Sequence, residues 1–93
     1  MIKSFGSRAT EDIFLDRQSP ELPATIQTVA RRKLLQIHLA TLISDLRIPP
    51  GNRLETLKGR RAGQHSIRIN DQWRIVCRWT AAGAEDVAII DYH

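Results

Sequence analysis

Three arginines, Arg68, Arg74 and Arg78, fall at even spacings within two alternating runs, His65-Ser66-Ile67-Arg68-Ile69 and Trp73-Arg74-Ile75-Val76-Cys77-Arg78-Trp79. Each run can bury one face of a strand and leave polar groups on the other. Successive side chains of a strand alternate, so Trp73, Ile75, Cys77 and Trp79 share one side and Arg74, Val76 and Arg78 the other. In the preceding run His65, Ile67 and Ile69 oppose Gln64, Ser66 and Arg68. The pattern predicts an exposed sheet face carrying Arg68, Arg74 and Arg78. Like charges that close destabilise a sheet, so an anionic partner or nearby acids must offset them. The surrounding stretch 54–79 adds Lys58, Arg60 and Arg61 against only Glu55 and Asp71, with Arg53 just upstream. Arginine outnumbers lysine eleven to three in the chain, and guanidinium is the better fork for phosphate and the better stacker on bases. Such a surface suits a polyanion.

Cutting RNA by internal attack needs a base for the 2′-OH proton, cations around the phosphorane and an acid for the leaving 5′-oxygen. Arg and Lys can supply the charge, and His or a carboxylate can move the protons. The histidines are scattered at 38, 65 and 93, with one cysteine, Cys77, so no metal site or other cofactor is expected. His38 beside an apolar stripe and His65 with the parity of Ile67 read as structural. Cys77 reads as an inert core thiol, and Trp73 and Trp79 as core rather than base-stacking platforms.

The elements that must position these residues follow from periodicity. Met1–Phe5 suits a short terminal strand. Thr10 is placed to cap a helical turn or two through Glu11 to Leu15. From Pro23, the spacing of Ile26, Val29, Ala30, Leu34 and Ile37 predicts an amphipathic helix, with Leu35, Leu39 and Leu42 widening its stripe. Arg31, Arg32 and Lys33 read as its solvated face. Residues 41–46 suit a second short helix or a continuation, and Pro49-Pro50-Gly51-Asn52 ends helical structure. Strands are expected at 54–57, 64–69, 73–79 and 87–92, with a basic loop at 59–63 and a tight turn at Asn70-Asp71-Gln72. Two or three N-terminal helices packed on an antiparallel sheet of four to five strands make an α+β fold.

A chain of 93 residues with 42% apolar and 26% charged residues suits a single domain, 1–93, with a small core. Most of the net charge of +4 lies in the second half, where residues 47–93 hold eight bases against five acids, while residues 1–46 hold six against five. There is no apolar run long enough for a membrane span, and Lys3, Ser4, Arg8, Glu11 and Asp12 interrupt any signal-like segment. With one cysteine, the expected setting is the reducing cytoplasm, without membrane contact.

The run LKGRRAGQHSIRINDQWRI, the opening MIKSF and the closing DYH resemble the HigB toxins, a branch of the RelE-like ribosome-dependent mRNA endonucleases. These are also called plasmid maintenance system killer proteins. The resemblance covers nearly the whole chain in order. It implies a RelE-like fold and a toxin of a type II toxin-antitoxin system that cleaves mRNA in the ribosomal A site and inhibits translation, without a metal. It further implies a HigA-type helix-turn-helix antitoxin as partner, the ribosome with its mRNA and rRNA, and operator DNA only through the antitoxin. Lys58 resembles the family's phosphate-contacting lysine and Arg74 its transition-state arginine. Asp91, Tyr92 and His93 match the closing triplet, in which His93 transfers a proton, Asp91 orients it and Tyr92 stacks on a base. Arg53, Glu55, Arg60, Arg61, Arg68 and Arg78 are the remaining expected RNA contacts. The chain departs from some relatives in carrying Glu55 where they have a histidine, and Gln72 where they have a turn asparagine. The competing expectation is a small basic module that binds ribosome or nucleic acid without cutting.

Overall fold

A computed structural model of the chain describes residues 1–92. Helix α1 spans Arg8–Phe14 and helix α2 Ala24–Leu39. They pack on one face of a four-stranded antiparallel sheet of order β1-β2-β3-β4. β1 is Glu55–Thr56, β2 Gln64–Arg68, β3 Trp73–Thr80 and β4 Gly83–Asp91. This is the α+β arrangement that the patterning predicts.

The stripe of α2 buries Ile26, Ala30, Leu34 and Ile37 against Ile67, Ile69, Ile75, Cys77, Val87 and Ile89. Leu39 and Leu42 do not extend that stripe and stand exposed. At about 100° per residue, Leu35 and Leu39 point to the opposite side of the helix from Ile37. Lys33 lies within the stripe, between Ala30 and Ile37, and is buried rather than solvated. Its Nζ donates to the Arg68 carbonyl at 2.6 Å.

α1 is capped by Ser7, whose Oγ accepts from the Thr10 amide at 3.2 Å. Thr10 is one turn inside the helix and fully buried, so it faces the sheet instead of capping. Its hydroxyl accepts from the Ile89 amide at 2.9 Å and so ties α1 to β4. α2 already stops at Leu39, residues 41–46 give a 3-10 turn at Ile43–Arg47 instead of α-helix, and the proline segment itself forms another at Pro50–Asn52 rather than ending helical geometry. Buried Asn52 fastens the second turn by donating to the Gln36 side chain and the Leu46 carbonyl.

Met1–Phe5 joins the sheet through isolated parallel bridges, Ile2 to Ala84 and Phe5 to Val87, rather than as a full strand. β4 begins at Gly83 instead of Val87, because Ala81-Ala82 alone makes the turn and Thr80 pairs with Gly83. Gly83 holds φ 138, and a Cβ there would lie 2.2 Å from the Met1 carbonyl oxygen, so no larger residue fits. Among the described residues no helix is long and apolar enough to cross a membrane.

Candidate nucleic-acid interface

The sheet face away from the helices gathers the predicted cations. Antiparallel pairing sets Arg68 opposite Arg74, Ser66 opposite Val76 and Glu55 opposite Ser66. Glu55, Ser66, Arg68, Arg74 and Arg78 therefore share one surface. The face is not the open row of arginines that alternation alone suggests. Arg68 is half-buried and Arg78 exposed, but Arg74 keeps only 7% of its surface. It is buried because the segment before β1 and the residue after β4 close over it. Its Nη2 donates to the Arg53 carbonyl at 2.6 Å and its Nη1 lies 3.4 Å from the Glu55 carboxylate. The Tyr92 ring lies against the guanidinium, its centroid 5.3 Å from Cζ.

Polar groups left over at this spot are informative. The Nε of Arg74 and the Oγ of Ser66 are both buried without a hydrogen-bond partner among the described residues. Buried polar atoms are almost always paired in a resting protein. A desolvated guanidinium also acts more strongly on an incoming anion than one in water. The arrangement therefore suits charge stabilisation at a phosphate, with a carboxylate and an aromatic ring beside it.

The other arginines of the face have acids of their own. Arg68 is paired with Asp71, and Arg78 Nε lies 3.6 Å from Asp86. The register between β3 and β4 slips where three residue steps from Ala88 to Glu85 oppose two from Val76 to Arg78. Asp86 sits at that bulge with φ 53, which brings its carboxylate to Arg78. Arg53, Lys58, Arg60 and Arg61 are exposed at the β1 edge of the sheet, with Arg61 donating to the Gln64 side chain. Asp91 ends β4, where the Gln72 side chain donates to it at 3.0 Å, and the Tyr92 amide donates to the Gln72 carbonyl. Gln72 thus holds the C-terminal segment in place from the β2–β3 turn. His93 lies outside the described residues.

Patterning missed four contributors. Lys33 was detectable from its 3–4 spacing with Ala30 and Ile37. Burial, then the nearby charges of Arg32, Arg68 and Arg74, lower its pKa from the usual lysine value. Ser66 was detectable only as the small residue among the arginines. Asp86 depends on a bulge and the Arg53 carbonyl on a backbone conformation, and neither shows in residue types. His38 and Cys77 behave as structural groups. His38 Nδ1 accepts from the Ile2 amide and its ring packs on Phe14, while burial pushes the Cys77 thiol up to about 11. Among the described residues no three His, Cys, Asp or Glu side chains group as metal ligands. A cavity of about 500 Å³ between Asp16–Gln18 and α2 shares no residue with the cationic face.

The family model described as RelE-like toxin of type II toxin-antitoxin system HigB matches residues 3–93. A protein named Toxin HigB-1 from Vibrio cholerae is 44% identical over 64 residues, which is 69% of this chain and 67% of that protein. An uncharacterized protein from Haemophilus influenzae is 36% identical over 59 residues, 63% of this chain and 58% of its own length.

Proposed function

The chain belongs to the HigB-like family of RelE-like toxins of type II toxin-antitoxin systems, and from that premise we propose that it is a ribosome-dependent endoribonuclease that cuts mRNA in the A site. As a toxin of this type it has an antitoxin partner. We take that partner to be a HigA-type helix-turn-helix protein, through which alone operator DNA is reached, and the site of action to be the cytoplasm.

The observation that carries the nuclease reading is Arg74, a buried arginine with an unpartnered Nε, an aromatic ring against its guanidinium and a carboxylate beside it. In the proposed reaction Arg74 and Lys58 stabilise the charge that develops on the phosphorane oxygens. His93 transfers the proton, and Asp91 orients it. Glu55 is the second candidate for the base, since its carboxylate lies 3.4 Å from the arginine. Tyr92 stacks on a base of the message, and Arg53, Arg60, Arg61, Arg68 and Arg78 hold the RNA backbone.

The test programmes ribosomes with a defined message and maps cleavage by primer extension, with ribosome binding measured by co-sedimentation. The parent protein cuts in the A site. Arg74→Ala and a chain lacking His93 no longer cut but sediment with ribosomes nearly as well. No cutting by the parent, with binding intact, replaces this reading by a non-catalytic ribosome-binding module.

A further inference from the structure

Each arginine of the sheet face is paired with a carboxylate of the same chain: Arg74 with Glu55 at 3.4 Å, Arg68 with Asp71, and Arg78 with Asp86 at 3.6 Å. The three acids come from three places, β1, the β2–β3 turn and the β4 bulge. Among the described residues the cations of the β1 edge, Arg53, Lys58, Arg60 and Arg61, take part in no ion pair. The two groups of cations therefore meet RNA differently. Affinity for a nucleic acid comes largely from counterions released as phosphates are neutralised. An arginine already neutralised by a fixed carboxylate must lose that partner to gain a phosphate, and the gain is correspondingly small.

Resting on the RNA-cleaving reading above, we propose that Glu55, with lesser help from Asp71 and Asp86, competes with RNA phosphate for the face arginines. The protein then binds a free single strand weakly and engages one only where another surface holds the strand against it. Dependence on the ribosome is in this account partly a property of the toxin's own carboxylates.

Exposure ranks the three acids. Arg68–Asp71 and Arg78–Asp86 are solvent-facing pairs, with Asp71 fully exposed and both Arg78 and Asp86 about half exposed. Such pairs contribute little. The Arg74 side chain is 8% exposed against 48% for Glu55. The pair therefore has its cation in a desolvated place and its anion at the rim, where it can swing away. The Arg53 carbonyl keeps one side of the guanidinium fixed at 2.6 Å. Glu55 is the replaceable acceptor, and the side it occupies is the one a phosphate can take.

The experiment measures binding of a single-stranded, all-2′-deoxy oligonucleotide, which cannot be cleaved, to ribosome-free protein over a range of salt by fluorescence anisotropy. Glu55→Gln is expected to tighten binding about tenfold, and to steepen the salt dependence by about 0.7 in the log–log slope for one added phosphate contact on a single strand. Asp71→Asn and Asp86→Asn each change affinity by no more than about threefold. Glu55→Ala must move in the same direction as Glu55→Gln, which guards against a new amide bond to Arg74. Unchanged or weaker binding by both Glu55 variants overturns the proposal, as does absence of binding by every form. Cleavage by the parent on programmed ribosomes, measured alongside, separates the two readings. Cutting without the Glu55 gain removes the competition alone. The gain without cutting upholds the competition and removes the nuclease.

Discussion

Arg74 donates to the backbone carbonyl of Arg53 at 2.6 Å, and Arg53 presents that carbonyl from a left-handed conformation, φ 46 and ψ 57. Most side chains avoid this region, at a cost of roughly 1–2 kcal/mol. Glycine or asparagine would occupy it more cheaply. The buried arginine is thus held by a strained neighbour whose own side chain points to solvent beside the site.

If the Arg53 side chain serves RNA and its backbone serves Arg74, the two roles separate on mutation. Arg53→Gly keeps the carbonyl and relieves the backbone, so its Tm is expected at or above that of the parent. Glycine's greater freedom in the unfolded chain offsets part of the gain. Ribosome binding falls together with the lost charge. A lower Tm with unchanged binding would show that the arginine is there for packing instead.

Replacing Arg74 by lysine tests whether the guanidinium fork matters or only its charge. A lysine retains the cation but has no planar pair of nitrogens to span the Arg53 carbonyl and a phosphate. Mapped cleavage on ribosomes is expected to fall about 10²- to 10³-fold, the usual cost of removing one transition-state donor. Arg74→Ala is expected to fall at least as far. Near-parental cutting by the lysine form would reduce Arg74 to a general electrostatic role.

The parts of this molecule legible in its residues are those governed by short-range periodicity. The 3–4 spacing of Ile26, Ala30, Leu34 and Ile37 and the alternation through Trp73–Trp79 produce the helix, the strands and the choice of buried face as expected. The local placement of cations on the other face followed from the same parity. Solvent exposure did not, because it depends on chain segments far away in sequence. Tyr92 and the Arg53 carbonyl come from opposite sides to cover Arg74. The cap of α1 moved from Thr10 to Ser7 for a similar reason, since the Thr10 hydroxyl is engaged by an amide of β4. Lys33 was misplaced by charge. Its spacing put it on the buried stripe, and a single backbone carbonyl receives its Nζ there.

Lys33 gives a pH prediction with a definite sign. Burial, followed by repulsion from Arg32, Arg68 and Arg74, places its folded pKa below the ordinary 10.5. Between the folded and unfolded values the unfolded chain binds the extra proton, so this group's contribution makes stability rise with pH in that window. Below the folded value the lysine is charged in both states and the full penalty applies. Lys33→Met removes the titration. The parent should therefore gain stability relative to Lys33→Met, in urea unfolding, as pH climbs toward 10.5. Parallel stability curves would contradict the burial of a charged amine.

Cys77 should act in the opposite direction. Its thiol is 3% exposed between Ile75 and Trp79, and burial raises its pKa from 9.0 to about 11. Below the unfolded value both states hold the proton and the stabilising contribution is complete. As pH rises from about 9 to about 11 the unfolded chain ionises first, so stability falls through that window. Cys77→Val keeps an apolar side chain of similar size and removes the titration. Compared with this variant, the parent is expected to lose up to ~3 kcal/mol by the upper end of the window, at about 1.4 kcal/mol per pH unit. The native thiol should also resist alkylation at neutral pH and react once the protein is unfolded in urea. Rapid modification of the folded protein would mean that the β3 core opens far more readily than its packing implies.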